Sequence, residues 1–307
     1  MKIAVIGAGA LGLYYGAMLQ RAGHEVLFLL RRDYQAIRQN GLRVTSPNGD
    51  FHLPEVRGFL APEAMGTVDL VLVGLKTFAN GQLVSLCRPL ISDHTAILTL
   101  QNGLGNEDLL SEAFGRENVL GGVAFLCSNR GEPGTVHHLG QGMIRLGECL
   151  GGLTPRAKMI ASLFSDAGVP CEAVADLVKA RWEKLVWNVP FNGLCALTGL
   201  PTGKLLAQPP LRREIAALME EVIAGANAQG ISEPLDARTL VPHMLEFTDA
   251  MGDYSPSMMI DRLEGRPLEL EAIYGIALKQ ARDKGVEMVR IGFLHALLLL
   301  GETDRAA

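Results

Sequence analysis

Apolar residues in the first half of the chain occur in short runs, and the runs end in glycine or in polar residues. Nearly continuous apolar runs of about four to eight residues are typical of strands that are covered on both faces. The pattern predicts strands over residues 2–6, 25–30, 70–75, 94–100, 119–126 and 168–174. Residues 135–147, with small residues around position 141, predict an antiparallel hairpin.

The pattern changes near residue 175, where apolar positions begin to recur at helical spacing. The first long helix is predicted over residues 176–197, and Pro190 inside it predicts a kink or a break. We therefore predict an α/β fold with two domains. A Rossmann-type dinucleotide-binding domain is expected over residues 1–174, followed by an all-helical substrate and catalytic domain over residues 175–307.

Composition excludes several classes of protein. The chain has 307 residues, of which 48% are hydrophobic and 20% charged, and its net charge is -5. Basic residues are not clustered, which argues against nucleic acid as a partner and against binding to a membrane surface. The apolar run at 296–300 is far shorter than the ~20 residues that span a bilayer. Five dispersed cysteines without a C-x-x-C motif argue against a disulfide framework and favour a reducing cytoplasm.

The strongest chemical signal follows the first predicted strand. Residues 7–12 have the G-x-G-x-x-G spacing of a dinucleotide-binding turn, and a helix is predicted over residues 13–22. In such a turn Gly7 allows the tight bend, Gly9 lets the backbone approach a pyrophosphate, and Gly12 lets the helix pack on the strand. The candidate cofactor-binding residues here are Gly7, Ala8, Gly9, Ala10, Leu11 and Gly12. Such turns also occur for structural reasons alone, but the strand before and the helix after favour a dinucleotide site.

The end of the second predicted strand bears on which dinucleotide binds. NAD enzymes commonly place Asp or Glu there, where it binds the ribose 2′-hydroxyl. This chain has Arg31 and Arg32, with Asp33 only after them. Guanidinium groups suit a 2′-phosphate, so the sequence favours NADP over NAD, with Arg31 as a cofactor-binding residue. The alternative is that both arginines are solvated loop residues.

Polar side chains also follow two later strands. Lys76 comes directly after the third predicted strand, and Asn102 follows the fourth. Ligands of open α/β sheets lie outside the carboxyl ends of the strands, so both residues are candidates for cofactor or substrate contact, although polar loop residues are common there. His137 and His138 have no nearby Asp, Glu or Cys at a metal-ligand spacing, so we predict ordinary strand or loop histidines and no metal.

The predicted helix over residues 176–197 carries Lys184, Asn188 and Asn192 at positions i, i+4 and i+8. This spacing places the three side chains on one helix face. Their neighbours are apolar around most of the helix circumference, which is typical of a buried helix. A lysine on such a helix needs a partner or a route to the surface. The alternative is a polar stripe that faces solvent.

Two further helix openings carry polar candidates. Ser257 lies at the first, where Ser255 or Ser257 could simply cap the helix. Glu269 and Glu271 lie at the second, where the helix dipole alone could explain acidic residues.

These residues together resemble the ketopantoate reductase (2-dehydropantoate 2-reductase) family. The matching segments, which extend from residue 2 to residue 275, are the run from Lys2 to Gly12, Leu75-Lys76, Gln101-Asn102-Gly103, Trp182-x-Lys184-Leu185 with Asn188 and Asn192, Ser257-Met258-x-x-Asp261, and Glu269 with Gly275. Many enzymes share the glycine motif. The lysine–asparagine helix followed by the serine and the glutamate is far more specific to this family.

The resemblance implies a Rossmann domain and a helical domain like that of 6-phosphogluconate dehydrogenase, with the active site in the cleft between them. It also implies reduction of 2-dehydropantoate to pantoate with NADPH, on the route to pantothenate and coenzyme A. Lys184 would be the general acid that protonates the ketone oxygen. Glu269 would engage the substrate hydroxyl or the lysine. The implied substrate-binding residues are Asn102, Asn188, Asn192 and Ser257, and the implied contacts to the cofactor include Lys76 and Asn102.

Two departures from the family pattern leave other functions open. Thr202 stands where the family often has a further asparagine, and Tyr254 and Pro256 precede Ser257 where an asparagine and a second serine are common. The alternatives are a paralogous NADP-dependent reductase of another 2-keto acid and a non-catalytic protein that senses NADPH. An opine or 3-hydroxyacid dehydrogenase should lack the lysine, asparagine, serine and glutamate set. A homodimer is compatible with the superfamily resemblance.

Overall fold

The computed structural model describes residues 1–306, with side chains described through Glu302. The chain forms two compact units. Unit 1 comprises Met1–Asn102 and Asn106–Leu177, and unit 2 comprises Gly103–Gly105 and Val178–Ala307. All residues after Leu177 belong to unit 2, whereas the sequence pattern predicts the domain boundary after residue 174.

Unit 1 is built on a mixed β-sheet. Each of the six predicted strand regions contains a strand. The strands of the described chain are β1 (Lys2–Ile6), β2 (Glu25–Leu29), β3 (Leu42–Thr45), β4 (Phe51–Leu53), β5 (Arg57–Phe59), β6 (Leu70–Val73), β7 (Ala96–Thr99), β8 (Val119–Arg130), β9 (Thr135–Glu148) and β10 (Cys171–Ala173). They pair in the order β4-β3-β9-β8-β7-β6-β1-β2-β5, and β10 also pairs with β9.

The central strands of this sheet are parallel, and the chain places later strands first on one side of β1 and then on the other. After β1 the chain adds β2 and β5 on one side, then returns to place β6, β7 and β8 on the other side, all in parallel. β6 and β7 are buried along their whole length, as apolar strands covered on both faces should be. The junction of β1 and β6 is a topological switch point, where open α/β sheets bind ligands.

The hairpin predicted over residues 135–147 is wrong. These residues belong to one long strand, β9, which pairs antiparallel with β8, and β8 itself continues to Arg130 rather than ending at 126. β9 has one unpaired residue at each of two register shifts: Gly142, between the partners of Phe125 and Leu126, and Leu139, which is next to Gly140. Gln141, between the two glycines, has a φ of 61°. The glycines that suggested a turn therefore mark bulges in a strand, which is another common role of glycine in sheets.

Helices cover both faces of the sheet. Those of unit 1 are α1 (Ala10–Arg21), α2 (Tyr34–Asn40), α3 (Leu83–Cys87), α4 (Asn106–Phe114) and α5 (Pro155–Asp166), with short 3-10 turns at Pro62–Ala64, Thr77–Gln82, Arg88–Leu90 and Arg116–Asn118. Alternate residues of β1 enter two different apolar clusters: Ile3 and Val5 pack in one, Ala4 and Ile6 in the other. This follows from the two-residue period of a strand, which sends successive side chains to opposite faces.

Unit 2 is helical in its described residues. Its helices are α6 (Leu177–Thr198), α7 (Thr202–Leu206), α8 (Pro209–Asn227), α9 (Ala237–Met251), α10 (Ser257–Leu263), α11 (Ile276–Asp283) and α12 (Val289–Ala306), and Glu271–Gly275 forms a π-helical turn ahead of α11. A single apolar cluster holds them together, with the fully buried rings of Trp182, Phe191 and Tyr274 among its largest members.

The first helix of unit 2 is buried, as its apolar circumference predicts. Trp182, Val186 and Val189 are at most 1% exposed. Pro190 does not interrupt the helix, which continues to Thr198. The predicted alternative of a break at Pro190 is therefore wrong.

The predicted fold class is confirmed: a Rossmann-type α/β unit precedes an all-α unit. Within the described residues, no helix combines the length and the apolar content needed to cross a membrane.

Candidate active site

The carboxyl ends of three central strands of unit 1 lie level with one another. The Gly74 N–H donates to the Ile6 carbonyl at 2.8 Å, and the Leu100 N–H donates to the Val73 carbonyl at 2.9 Å. The residues that follow β1, β6 and β7 therefore leave the sheet at one edge. These segments contain the glycine turn, Lys76 and Asn102, which the sequence singles out as contacts for a cofactor or substrate.

The glycine turn follows β1 directly and is tightly packed. Gly7 has a φ of 98°, a left-handed conformation that favours glycine, and a Cβ there would clash with the backbone nitrogen of Leu75. A Cβ at Gly12 would clash with the Gly7 carbonyl oxygen. The helix begins at Ala10 rather than at the predicted Leu13, so Gly12 lies in its first turn.

The turn fits the pyrophosphate of a dinucleotide. A Cβ built on Gly9 would meet no heavy atom within 4 Å, so the backbone is open to an approaching ligand at this residue. Gly9 is also the N-cap of α1 and has no side chain with which to cap the first turn. A helix N-terminus offers backbone N–H groups and the positive end of the helix dipole, which together bind phosphate.

The arginines after β2 lie in different surroundings. Arg31 and Arg32 are both exposed, and the Arg32 Nη2 donates to the Gly131 carbonyl at 3.0 Å. Asp33 is 2% exposed and forms an ion pair with Arg130. The Arg32 guanidinium is thus engaged by a backbone carbonyl, and Arg31 as a contact to the 2′-phosphate stays a prediction.

A chain of side-chain amides supports Asn102. The Gln101 Nε2 donates to the Asn80 Oδ1 at 2.7 Å, and the Asn80 Nδ2 donates to the Asn106 Oδ1 at 2.9 Å. The Asn106 Nδ2 in turn donates to the Asn102 backbone carbonyl at 3.0 Å. Gln101 and Asn106 are buried, so these bonds form in a low dielectric and hold the loop after β7 in one conformation. Lys76, half-buried, is the N-cap of the 3-10 turn that carries Asn80.

The three residues after Asn102 belong to unit 2. The Leu104 N–H donates to the Ala272 carbonyl at 2.8 Å, and Gly103, with a φ of 77°, packs so closely on the Ala272 backbone that a Cβ would clash with it. Ala272 lies in the π-helical turn Glu271–Gly275. A glycine at position 103 is thus required both by its backbone conformation and by this contact.

The polar face of α6 is largely buried. Asn188 is 4% exposed and Asn192 is 2% exposed, and Lys184 is half-buried. A stripe of solvent-facing residues is therefore the wrong description of this face. Buried polar side chains are retained where hydrogen bonds compensate for their lost hydration.

Asn192 connects α6 to the start of α10. Its Oδ1 accepts the Met258 N–H at 3.1 Å and lies 3.5 Å from the Ser257 Oγ. Ser257 is the first residue of α10 and its N-cap is Pro256, so neither Ser255 nor Ser257 caps this helix. Asn192 supplies the acceptor that a capping side chain would otherwise provide, and its Nδ2 keeps its donor capacity.

Glu269 is buried at 3% exposure, just ahead of the π-helical turn, whereas Glu271 is exposed. The Tyr274 ring in that turn donates its hydroxyl hydrogen to the Val189 carbonyl on α6 at 2.8 Å. This bond ties the π-helical turn to the helix that carries Lys184. π-helical turns are rare and are enriched at functional sites.

The departures from the family pattern have local structural roles. The Thr202 hydroxyl lies 2.9 Å from the Gly252 carbonyl and 3.2 Å from that of Tyr254, so it binds the loop before α10. The Tyr254 ring centroid lies 6.0 Å from that of Trp187. Residue 254 therefore adds an aromatic surface to the loop that leads to Ser257.

Sequence reasoning missed Asn80 and Asn106. Neither belongs to a recognisable motif, and the side-chain bonds that join Asn80 to Gln101 and Asn106 span 21 and 26 residues of the chain. The only available signal was their position soon after strands, which also describes ordinary loop residues.

The histidines and cysteines outside these regions have structural surroundings. The Nδ1 atoms of His137 and His138 lie 2.7 and 2.8 Å from the hydroxyls of Thr45 and Ser46. All five cysteines are free thiols. Burial raises the pKa of Cys87 and of Cys195 to about 12, so these thiols are poor nucleophiles. Among the described residues, no group of three or more His, Cys, Asp or Glu is placed to hold a metal ion.

Comparisons with known proteins match the whole chain. The family described as "Ketopantoate reductase PanE/ApbA" matches residues 3–151, and its C-terminal counterpart matches residues 176–302. A 2-dehydropantoate 2-reductase from Nostoc sp. is 42% identical over 99% of this chain and 96% of its own length.

Solved structures agree with this assignment. The crystal structure of 2-dehydropantoate 2-reductase from Geobacter metallireducens has a TM-score of 0.97 and 58% identity, covering 98% of this chain and 100% of the other. A D-mandelate dehydrogenase with NADH and anilino(oxo)acetate has a TM-score of 0.92 and 26% identity, covering 100% of both chains. The second match is a dehydrogenase whose structure contains NADH and anilino(oxo)acetate. By sequence and by structure, this chain belongs to the ketopantoate reductase family.

Proposed function

We propose that this protein reduces 2-dehydropantoate to pantoate with NADPH, as part of pantothenate and coenzyme A biosynthesis. The observation that carries the proposal is the buried polar face of α6 in a member of this family. Lysine and asparagine side chains held on an otherwise apolar, buried helix cost hydration, and a substrate that needs a proton donor and hydrogen bonds accounts for that cost.

Unit 1 would hold the cofactor. The backbone from Gly7 to Gly12 would bind its pyrophosphate at the N-terminus of α1, and Arg31 would bind the 2′-phosphate. Lys76 and Asn102, at the carboxyl ends of neighbouring strands, would contact the cofactor or the substrate. When bound, NADPH supplies a hydride for the ketone carbon.

Unit 2 would supply the groups that act on the substrate. Lys184 would donate a proton to the ketone oxygen, and its charge would stabilise the negative charge that develops on this oxygen. Glu269 would hold the substrate hydroxyl or the lysine. Asn188 and the Nδ2 of Asn192 would donate hydrogen bonds to the substrate, and the Ser257 hydroxyl would donate to its carboxylate.

The test is NADPH oxidation in the presence of 2-dehydropantoate, followed by absorbance. Lys184→Ala should lower kcat by roughly a hundredfold or more, because the proton donor is lost, while binding of NADPH is unchanged. Lys179→Ala is the matched control: Lys179 lies on the same helix, and its Nζ pairs with Glu233 at 2.8 Å. Equal loss in both variants would contradict the assignment of Lys184.

The use of NADPH rather than NADH is tested in the same assay. Arg31 favours the phosphorylated cofactor, so turnover with NADH should be slower at equal concentrations. Equal rates with the two cofactors would contradict the role of Arg31 and leave the role of Lys184 intact.

A second candidate substrate is another 2-keto acid, and Tyr254 is the observation that favours it. Its ring adds to the aromatic surface of Trp187 near Ser257, and the D-mandelate dehydrogenase of the same fold carries an aryl ligand. A panel of 2-keto acids separates the two proposals: preference for an aryl keto acid over 2-dehydropantoate would favour the second. Binding of NADPH without turnover of any member would favour the non-catalytic sensor.

We also propose a cytoplasmic location and a homodimer. Five free cysteines are typical of a reducing compartment. Val289, Phe293 and Leu300 leave large apolar surfaces exposed on α12, and exposed apolar patches are common at subunit interfaces. Sedimentation velocity of the wild type and of Phe293→Glu tests the dimer, which the charged side chain should weaken.

A further inference from the structure

Asp33 is the first acidic side chain after the strand end at which a carboxylate commonly determines cofactor choice. It lies four residues after β2, next to Arg31 and Arg32. NAD enzymes use a carboxylate near this strand end to bind the ribose 2′-hydroxyl, and the same charge would repel a 2′-phosphate. A carboxylate beside two arginines is therefore an unexpected residue in a protein that binds NADPH.

The structure directs this carboxylate into the protein. Asp33 is 2% exposed, its Oδ2 is paired with the Arg130 Nη2, and its Oδ1 accepts the Gly134 N–H at 3.2 Å. Arg130 is the last residue of β8, and Gly134 directly precedes β9. The two partners of the carboxylate therefore lie at the two ends of the connection between these strands: Arg130 directly precedes segment 131–134, and Gly134 is its last residue.

The same segment binds the arginine beside Asp33. The Gly131 carbonyl accepts the Arg32 Nη2 at 3.0 Å, and the Gly134 carbonyl accepts the Arg43 N–H at 2.9 Å. Segment 131–134 is thus anchored to the loop after β2 and to the start of β3. Arg31 and Arg32 are both exposed, but only the Arg32 guanidinium binds this segment.

We infer that Arg130 is a positioning residue for cofactor specificity: by pairing with Asp33 it keeps that carboxylate away from the ribose and leaves Arg31 as the charge that the 2′-phosphate meets. The inference rests on the proposed use of NADPH. Arg130 needs no contact with the cofactor for this role. It acts by neutralising one charge and by fixing the loop that presents another.

Two substitutions at this pair have opposite consequences for a bound 2′-phosphate. Arg130→Gln leaves the Asp33 carboxylate without its cation, so the phosphate meets an additional negative charge. Asp33→Asn removes that negative charge, keeps an acceptor for the Gly134 N–H, and leaves the Arg130 cation. If the pair served only to stabilise the fold, both substitutions would weaken binding in the same direction, because both break the same ion pair.

The experiment measures binding of adenosine 2′,5′-bisphosphate and of 5′-AMP to the full-length protein by titration calorimetry. These two ligands differ only by the 2′-phosphate, so the ratio of their Kd values isolates its recognition from catalysis. Arg130→Gln should lower the preference for the bisphosphate by about tenfold or more, because like charges in proximity are strongly unfavourable. Asp33→Asn should leave the preference equal or higher, and the double variant should restore it.

The matched control is Arg212→Gln in unit 2. The Arg212–Asp249 pair is a bidentate arginine–aspartate contact with distances of 2.9 and 2.7 Å, and its loss should leave the preference unchanged. Should Arg130→Gln fail to fold, Arg130→Lys and the double variant supply the test: both should keep the wild-type preference, and loss of preference in both would overturn the inference.

An unchanged preference in Arg130→Gln, or an equal loss in Arg130→Gln and Asp33→Asn, would also overturn it. A wild-type protein that does not prefer the bisphosphate would instead contradict the proposed cofactor. The two failures are therefore distinguishable.

Discussion

The two units carry their candidate residues in different ways. In unit 1 the main element is the backbone of one contiguous turn, residues 7–12, whose glycines allow close approach of chain and ligand. In unit 2 the candidates are side chains from separate elements: Lys184 and Asn192 on α6, Ser257 on α10, and Glu269 ahead of the π-helical turn. Backbone recognition depends on local shape, whereas side-chain chemistry depends on which distant elements the fold brings together.

This difference predicts different responses to substitution. In the glycine turn, a single added methyl group should either lower the stability of the fold strongly or leave it unchanged, depending on the space around the residue. In unit 2, the loss of one side chain should change kinetics or a local contact while the fold persists. The four predictions that follow test this contrast in order of decreasing expected effect.

Gly7→Ala should cause the largest loss. The residue has a φ of 98°, and its Cβ would clash with the Leu75 backbone, which cannot move without disturbing the switch point. A cost of about 2–5 kcal/mol in the free energy of unfolding is expected from strain and steric overlap. Thermal and urea unfolding measure this cost.

Gly9→Ala is the control, since its Cβ meets nothing within 4 Å. Its stability should stay near that of the wild type, while its affinity for adenosine 2′,5′-bisphosphate should fall. Equal stability of the two variants would contradict the role of Gly7.

Glu269→Gln should lower kcat by about 10- to 100-fold, because a buried carboxylate that holds substrate or lysine is replaced by a neutral amide. The melting temperature and the Kd for NADPH should change little. Glu271→Gln, an exposed neighbour two residues along the chain, should leave kcat unchanged. The same kinetic effect in both variants would mean that the charge near α11, rather than Glu269 itself, matters.

The two polar atoms of the Asn192 side chain have different expected roles: Oδ1 stabilises the start of α10, and Nδ2 binds the substrate. Asn192→Ala removes the acceptor for the Met258 N–H and should lower the free energy of unfolding by about 1–2 kcal/mol. Asn192→Asp keeps an acceptor oxygen but loses the Nδ2 donor, so it should retain more stability than the alanine variant while raising KM for the keto acid. Urea unfolding and steady-state kinetics check both expectations. An unchanged KM in both variants would exclude Asn192 from substrate binding.

The smallest expected effect is a pH dependence of stability from His295. Its ring stacks on Tyr274 at a centroid distance of 5.7 Å, and burial lowers its pKa below 6.5, against a smaller opposing influence of Glu271. Above about pH 6.5 the histidine is neutral in both the folded and the unfolded chain, so stability is fully present. As the pH falls below that value, the unfolded chain binds a proton first and the free energy of unfolding decreases. Urea unfolding at about pH 7.5 and pH 5.5 should show a smaller decrease for His295→Gln than for the wild type. Identical decreases would contradict the prediction.

Much of the fold was predictable because its signals are local. Buried parallel strands produce continuous apolar runs, and a change from strand-length runs to helical spacing marks the change of architecture near residue 175. The errors arose where local signals are ambiguous. Glycines at 140 and 142 are equally compatible with a turn and with a strand that contains a bulge. Only the pairing of β9 with β8 decides between these two structures. At Pro190 the predicted alternative of a break is wrong, because α6 continues to Thr198.

The candidate residues divide in the same way. The sequence by itself determined the glycine turn, the arginines after β2 and the lysine–asparagine face of α6. Each of these features depends only on a few adjacent residues or on the periodicity of one helix. The tertiary structure alone decided that Asp33 pairs with Arg130, 97 positions away, and that Asn192 caps a helix that begins at Ser257. The physical reason is that hydrogen bonds and ion pairs act over a few ångströms whatever the distance along the chain, so a partner can be found only after the fold has brought it near.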